Sequence, residues 1–107
     1  MRILFVGDVV GKVGRDAIRT HLAGCISQWR VDLCVVNGEN AADQGFGITQ
    51  PIYEELVVAG ADAVTLGNHS WNRRETLQLI EVVPRPINYL SGTPRRGAAS
   101  SRRNPGR

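Results

Sequence analysis

Five side chains that can bind metal ions or transfer protons follow three short apolar runs of the chain. They are Asp8 after the first run, Glu39 and Asn40 after the second, and Asn68 and His69 after the third. In each case a glycine directly precedes the first of these residues. Carboxylate and amide oxygens with a nitrogen donor nearby suit Mn²⁺, Mg²⁺ or iron better than a metal that prefers thiolates.

Within this set, the residue types indicate separate chemical roles. Glu39 is the natural bridging ligand, because its carboxylate has two oxygens and can serve two ions. Two ions about 3.5–4 Å apart can hold a phosphoryl group and generate hydroxide at neutral pH. His69 can donate a proton to the leaving oxygen. The set therefore favours metal-dependent chemistry on a phosphate ester.

The elements that must position these residues alternate along the chain. Apolar runs predict strands at 2–6, 31–36 and 61–66, and helical periodicity predicts helices at about 15–29, 50–59 and 73–83. The order predicts an α/β fold, βαβαβα, with a parallel sheet and right-handed crossovers. The carboxyl ends of parallel strands lie along one edge, where ligands bind. All five residues are therefore expected at that edge.

Local signals refine these boundaries. Residues 7–14 are predicted to form a glycine-rich turn, and the continuous apolar run at 2–6 predicts a strand buried on both faces. Thr49 is the expected N-cap of the second helix, Pro51 suits its first turn, and Gly60 is expected to end it. Asn72 is the expected cap of the third helix. A short fourth strand at 85–90 is weakened by Pro86.

Charge and composition divide the chain into two parts. Residues 1–84 contain seven basic and ten acidic residues, a net charge of −3, whereas residues 85–107 contain six arginines and no acidic residue. Residues 91–107 also lack any aliphatic side chain larger than alanine, so we expect a disordered Arg/Gly/Ser/Pro tail after an ordered part at 1–90. The basic isoelectric point therefore does not argue that the ordered part binds nucleic acid.

Other features bear on location. No apolar run approaches the ~20 residues of a membrane span, and no signal peptide precedes the first strand. Cys25 lies in a helical pattern and Cys34 in a strand, so both are expected to be reduced core residues of a cytoplasmic protein. No membrane partner is expected.

Simpler explanations exist for each candidate taken alone. A single Asp or Asn after a strand is usually a turn residue or a helix cap, but their joint occurrence at three successive strand ends favours a site. His21 and the pair Arg73 and Arg74 are expected to be surface residues. The glycines at 7, 11 and 14 match neither G-x-G-x-x-G nor the P-loop pattern. A non-catalytic α/β module that binds nucleotide or RNA remains the alternative.

Three segments carry a resemblance to a known family. The sequences MRILFVGDVVGKVGRD at 1–16, NGENAA at 37–42 and GNHSW at 67–71 closely resemble the YmdB-like bacterial metallophosphoesterases. This resemblance implies half of a metallophosphoesterase-type α/β sandwich. It also implies a dinuclear phosphodiesterase acting on 2′,3′-cyclic nucleotides, with two divalent or trivalent ions (Fe, Mn or Mg). Asp8, Glu39 and Asn40 would hold one ion, Glu39 and Asn68 the second, and His69 would be the proton donor.

The resemblance also sets an expectation for the end of the chain. Family members are more than twice as long, and their second half supplies further histidine ligands, whereas this sequence has no histidine after His69. We therefore expect a frameshift, a truncation or a fragment boundary, and weak or no phosphodiesterase activity for residues 1–107 alone. A link to RNA and a homo-oligomeric state both remain open.

Overall fold

The computed structural model describes residues 1–71, 74–79 and 83. In chain order the elements are β1 (Ile3–Val6), α1 (Gly11–Trp29), β2 (Leu33–Asn37), α2 (Gln50–Ala59), β3 (Ala63–Thr65), a 3₁₀ helix (Asn68–Trp71) and α3 (Arg74–Gln78). Strands and helices alternate as predicted from the sequence. Each strand begins one or two residues after the start of its apolar run, and β2 extends past the end of its run to Asn37.

The three strands form one parallel sheet in the order β1-β2-β3. Val6 pairs with Val36, and Val36 pairs with Val64 on its other side. The predicted α/β class and parallel sheet are confirmed. Since all three strands run the same way, the residues that follow them emerge at the same edge of the sheet.

The core lies on one face of this sheet. Ile18 and Leu22 of α1 and Leu56 of α2 form a single buried cluster with Cys34, Val36 and Val64 of the strands. On the opposite face Ile3 and Phe5 are 57% and 60% exposed. The prediction that the first strand is buried on both faces is therefore wrong. Both crossover helices pack on the same face, and β1 is an edge strand of the described sheet.

The helix boundaries are partly as predicted. α1 begins at Gly11 and not near residue 15, because the N–H of Gly14 already donates a helical hydrogen bond to the carbonyl of Val10 (3.0 Å). The predicted turn at 7–14 thus reduces to residues 7–10. Thr49 is the N-cap of α2, and Gly60 ends that helix at φ 128°, a conformation that L-residues with a side chain rarely adopt.

Several predictions lie outside the described residues. They concern the Asn72 cap, the strand at 85–90 and the tail at 91–107, so the division into 1–90 and 91–107 stays a prediction. α3 ends at Gln78, and Leu79 lies in a turn. Cys34 is fully buried, Cys25 is half-buried, and both are free cysteines. None of the helices in the described part of the chain is long and apolar enough to cross a membrane.

Candidate metal centre

Backbone hydrogen bonds join the three strand ends to one another. After β1, the N–H of Val9 donates to the carbonyl of Asn37 (3.1 Å), and the N–H of Gly11 donates to the carbonyl of Asn40 (2.9 Å). After β2, the N–H of Gly38 donates to the carbonyl of Thr65 in β3 (3.0 Å). These bonds fix the positions of the segments that carry the predicted site residues.

Asp8 directly precedes Val9, the donor of the first of these bonds, and its side chain contacts Asn40. The Asn40 side-chain Nδ2 donates a 2.8 Å hydrogen bond to Asp8 Oδ1. Asp8 has a φ of 50°, in the left-handed region that few residues other than glycine adopt and that recurs at functional positions. Two residues 32 positions apart in the sequence are thus joined at the edge of the sheet where the strand ends meet.

The hydrogen bond to Asp8 does not use the side-chain oxygen of Asn40, Oδ1. This atom is buried and has no hydrogen-bond partner among the described residues. The reversed orientation would place this oxygen against the Asp8 carboxylate, so the hydrogen bond to Asp8 fixes which end is free. A buried polar atom without a partner is rare and requires an explanation. A bound cation would supply one.

Glu39 reaches the end of the third strand. Its carboxylate lies against Gly67 so closely that a Cβ atom at Gly67 would overlap both carboxylate oxygens. The backbone N–H of His69 also points to Glu39 Oε1 at 3.4 Å, a long hydrogen bond. Only glycine leaves room for the Glu39 carboxylate beside this strand end.

His69 lies beside an aromatic ring from the loop between β2 and α2 (residues 38–49). The ring centroids of Phe46 and His69 are 6.0 Å apart with an interplanar angle of 34°. Phe46 is 44% exposed, so one part of its ring faces solvent. His69 itself is half-buried.

The 38–49 loop is held by hydrogen bonds within itself and to α3. Within the loop, the N–H of Gly47 donates to the carbonyl of Glu39 (2.6 Å), and that of Ala42 donates to the carbonyl of Gly47 (3.0 Å). At its far end, the buried Thr76 hydroxyl donates to the carbonyl of Ile48 (2.7 Å) and accepts from the N–H of Ile48 (3.3 Å). The loop is thus an ordered support for Glu39 and Asn40.

A cluster of charged residues on α1 lies next to this loop. Arg15 contacts Ala41, Asp43 and Glu55, whereas Lys12 and Arg19 pair with Asp16 on the exposed side of the helix. The hydrogen bond from Lys12 lowers the pKa of Asp16. This effect concerns the surface of α1 and not the five candidate residues.

The structure brings some of the five candidate residues into contact but not all of them. Asp8 with Asn40, and Glu39 with the backbone of His69, are in direct contact, whereas Asn68 is exposed at the start of the 3₁₀ helix. No three of the described His, Cys, Asp and Glu side chains are grouped so as to hold a metal ion.

Two residues that contact the site could not be identified as such from the sequence. Gly67 belongs to the repeated strand–glycine pattern, but no feature of the sequence indicates that it borders Glu39. Arg15 had no distinguishing signal, since its contacts lie 26 to 40 positions away along the chain.

Comparison with known proteins adds three findings. The sequence profile of the family described as YmdB-like protein matches residues 4–106. The 2′,3′-cyclic-nucleotide 2′-phosphodiesterase of Bacillus subtilis is 45% identical over 100 residues, which is 91% of this chain and 38% of that protein. A hypothetical protein of Thermus thermophilus has a solved structure with a TM-score of 0.82 and 45% identity, covering 91% of this chain and 38% of that chain.

A further solved structure is described as a novel phosphatase from Mycoplasma pneumoniae. It matches with a TM-score of 0.81 and 35% identity, covering 89% of this chain and 36% of that chain. The chain thus spans less than two fifths of the length of these relatives. The architecture described above is shared with them across most of its residues.

Proposed function

Because the chain belongs to the YmdB-like protein family, we propose that its three strand ends are part of the metal centre of a phosphoric-diester hydrolase. The family relationship gives the class of chemistry. The arrangement of Asp8, Glu39 and Asn40 supports their assignment as the residues of this chain that take part in it. The proposal covers the metal ligands, the proton donor and the substrate class.

The observation that carries the proposal is the pairing of Asn40 with Asp8. The amide donates its N–H to the carboxylate, so the carboxylate is held in one orientation while the buried Asn40 Oδ1 has no partner among the described residues. A carboxylate oxygen next to a free amide oxygen is a donor set for a hard cation such as Mg²⁺ or Mn²⁺. The residues present therefore fit a metal ion.

We assign Asp8, Glu39 and Asn40 to one ion, and Glu39 with Asn68 to a second, each ion being Fe, Mn or Mg. Such ions, when bound, supply charge for the phosphoryl oxygens and a nucleophilic hydroxide. Glu39 suits the shared position because it directly precedes Asn40 in the chain and its carboxylate contacts the strand end that bears Gly67. Gly67 restricts where that carboxylate can lie.

His69 is assigned as the proton donor to the leaving oxygen. Its backbone N–H points to Glu39 and its ring lies beside Phe46, which supports this assignment. An imidazole is the side chain best suited to proton transfer near neutral pH.

The substrate class follows from the name of the Bacillus subtilis relative, a 2′,3′-cyclic-nucleotide 2′-phosphodiesterase. We propose the same class, 2′,3′-cyclic nucleotides, for this chain. The alternative of a nucleotide-binding module that uses the glycine turn receives less support. The N–H groups of Gly11 and Gly14 donate to Asn40 and Val10, so they are already used by the fold.

The five candidate donors are two carboxylates, two amides and one imidazole, and amides bind cations weakly because they are neutral. We therefore expect the 107-residue chain with Mn²⁺ to hydrolyse 2′,3′-cyclic nucleotides and a generic aryl phosphodiester slowly or not at all. Any turnover that belongs to the site must disappear in Glu39→Gln. Turnover that persists in Glu39→Gln would contradict the assignment of Glu39 or reveal a contaminating enzyme. Efficient turnover that Glu39→Gln abolishes would contradict the expected weakness and support the site.

A further inference from the structure

Arg15 of α1 is a largely buried charged side chain that contacts the 38–49 loop. Of the side chains that form ion pairs in the described structure, it is the least exposed. Only 11% of the side chain is exposed. Its Nη1 donates to the carbonyl of Ala41 at 2.6 Å, and its Nη2 donates to Asp43 Oδ1 at 2.8 Å. Its Nε lies 3.3 Å from Glu55 Oε2 on α2, an ion pair without a hydrogen bond. One guanidinium thus joins α1, the loop and α2.

The contact with Ala41 lies directly beside a proposed ligand. Ala41 follows Asn40 in the chain, and the carbonyl of Asn40 accepts a hydrogen bond from the N–H of Gly11 (2.9 Å). The first and second turns of α1 therefore hold two successive carbonyls of the loop, one through a backbone N–H and one through Arg15. These two contacts restrict the rotation of the peptide between Asn40 and Ala41.

We infer that Arg15 is a positioning residue that holds the loop bearing Glu39 and Asn40 in its metal-binding geometry. The part of this inference that concerns metal rests on the proposed function, whereas the part that concerns the loop does not. The planar guanidinium holds two acceptors and one ion-pair partner in a fixed arrangement, and the single ammonium of lysine cannot do so. Residues that orient metal ligands usually affect metal affinity strongly although they do not touch the ion.

The neighbouring Arg19 provides a matched control. It lies one turn further along α1 and is 63% exposed, and it pairs with Asp16 at 2.7 Å. It also lies 3.9 Å from Glu55 Oε1. Among the described residues, Arg19 makes no hydrogen bond or ion pair with the 38–49 loop. Replacing Arg19 removes the same charge from the same helix without touching the loop.

The test compares Arg15→Met and Arg19→Met in the 107-residue chain by amide hydrogen exchange and by Mn²⁺ titration. In Arg15→Met we expect exchange at Ala42, Gly45 and Gly47 to accelerate about tenfold or more relative to Val36, because hydrogen bonds to charged groups contribute about that factor. The Mn²⁺ dissociation constant should rise about tenfold, the lower range for residues that orient ligands. Arg19→Met should leave both quantities unchanged.

Arg15→Lys is measured in the same experiments, and it becomes the test variant if Arg15→Met does not fold. It should show smaller changes in the same direction. If Arg15→Met and Arg15→Lys lower only global stability, with unchanged relative loop exchange and Mn²⁺ affinity, the inference is overturned. If the wild-type chain binds no Mn²⁺ while Arg15→Met still releases the loop amides, the metal assignment fails and the role of Arg15 in holding the loop stands.

Discussion

Asn40 and Asp8 are joined by a 2.8 Å hydrogen bond in which the amide Nδ2 donates to the carboxylate, and the other amide atom, Oδ1, is buried without a partner among the described residues. The bond connects the segment after β1 to the segment after β2. The carboxylate thus orients the amide, as the proposed role of Asn40 as a metal ligand requires.

The first prediction concerns Asn40→Asp. This change replaces the donating amide with a second carboxylate beside Asp8, so the chain without metal loses a charge-assisted hydrogen bond and gains a like-charge contact. We expect the free energy of unfolding without metal to fall by about 1–3 kcal/mol. Mn²⁺ should then stabilise the variant more than it stabilises the wild type, because the site gains a negative charge.

Thermal unfolding with and without Mn²⁺ checks this prediction. A loss of about 1–3 kcal/mol corresponds to a melting temperature lower by several degrees in a domain of this size. An Asn40→Asp chain as stable as wild type without metal would contradict the described pairing. Equal stabilisation of both chains by Mn²⁺ would argue that Asn40 is not a ligand.

The second prediction concerns Gly67→Ala. The added methyl group would overlap the Glu39 carboxylate, so either the carboxylate or the end of β3 must move. Overpacking of this kind costs about 1–3 kcal/mol in unfolding free energy, and the displaced Glu39 should weaken Mn²⁺ binding as well. Chemical denaturation and Mn²⁺ titration of the same variant measure the two effects.

Gly24→Ala serves as the control for this change. A Cβ atom at Gly24 would meet nothing within 4 Å, and the residue lies inside α1. The substitution should therefore stabilise the chain by about 0.5–1 kcal/mol through the higher helix propensity of alanine. If Gly67→Ala is as harmless as Gly24→Ala, Gly67 does not border Glu39.

The third prediction concerns Thr76→Val, which keeps the shape of the side chain and removes its hydroxyl. Thr76 is fully buried, and its Oγ1 bonds both the N–H and the carbonyl of Ile48. Valine leaves both backbone groups without this partner, so we expect a loss of about 1–3 kcal/mol in unfolding free energy. Denaturant titration measures the loss.

Thr20→Val is the matched control, since the Thr20 hydroxyl is exposed and donates only to the carbonyl of Asp16 in its own helix. Surface changes of this type usually stay within about 0.5 kcal/mol. An equal effect of the two substitutions would show that Thr76 does not hold α3 to the end of the 38–49 loop.

The sequence predicted the convergence at the sheet edge because a parallel sheet brings successive strand ends together whatever the side chains do. It could not predict that Asn40 bonds Asp8, since that contact depends on the φ of Asp8 and on the hydrogen bonds of Val9 and Gly11. The exposure of Phe5 was missed for a similar reason. An apolar run indicates that a strand is hydrophobic, but it does not indicate which face of the sheet the helices cover.

The central claim is that Glu39, together with Asp8 and Asn40, binds a metal ion, and Mn²⁺ titration of the 107-residue chain tests it most directly. Wild type and Glu39→Gln are compared by electron paramagnetic resonance of free Mn²⁺. Glu54→Gln is the control, since Glu54 is exposed on α2 and accepts a hydrogen bond from Gln50. We predict that Glu39→Gln weakens binding about tenfold or more, as expected for losing a charged partner, while Glu54→Gln binds like wild type. Equal Mn²⁺ affinity in wild type and Glu39→Gln would contradict the account.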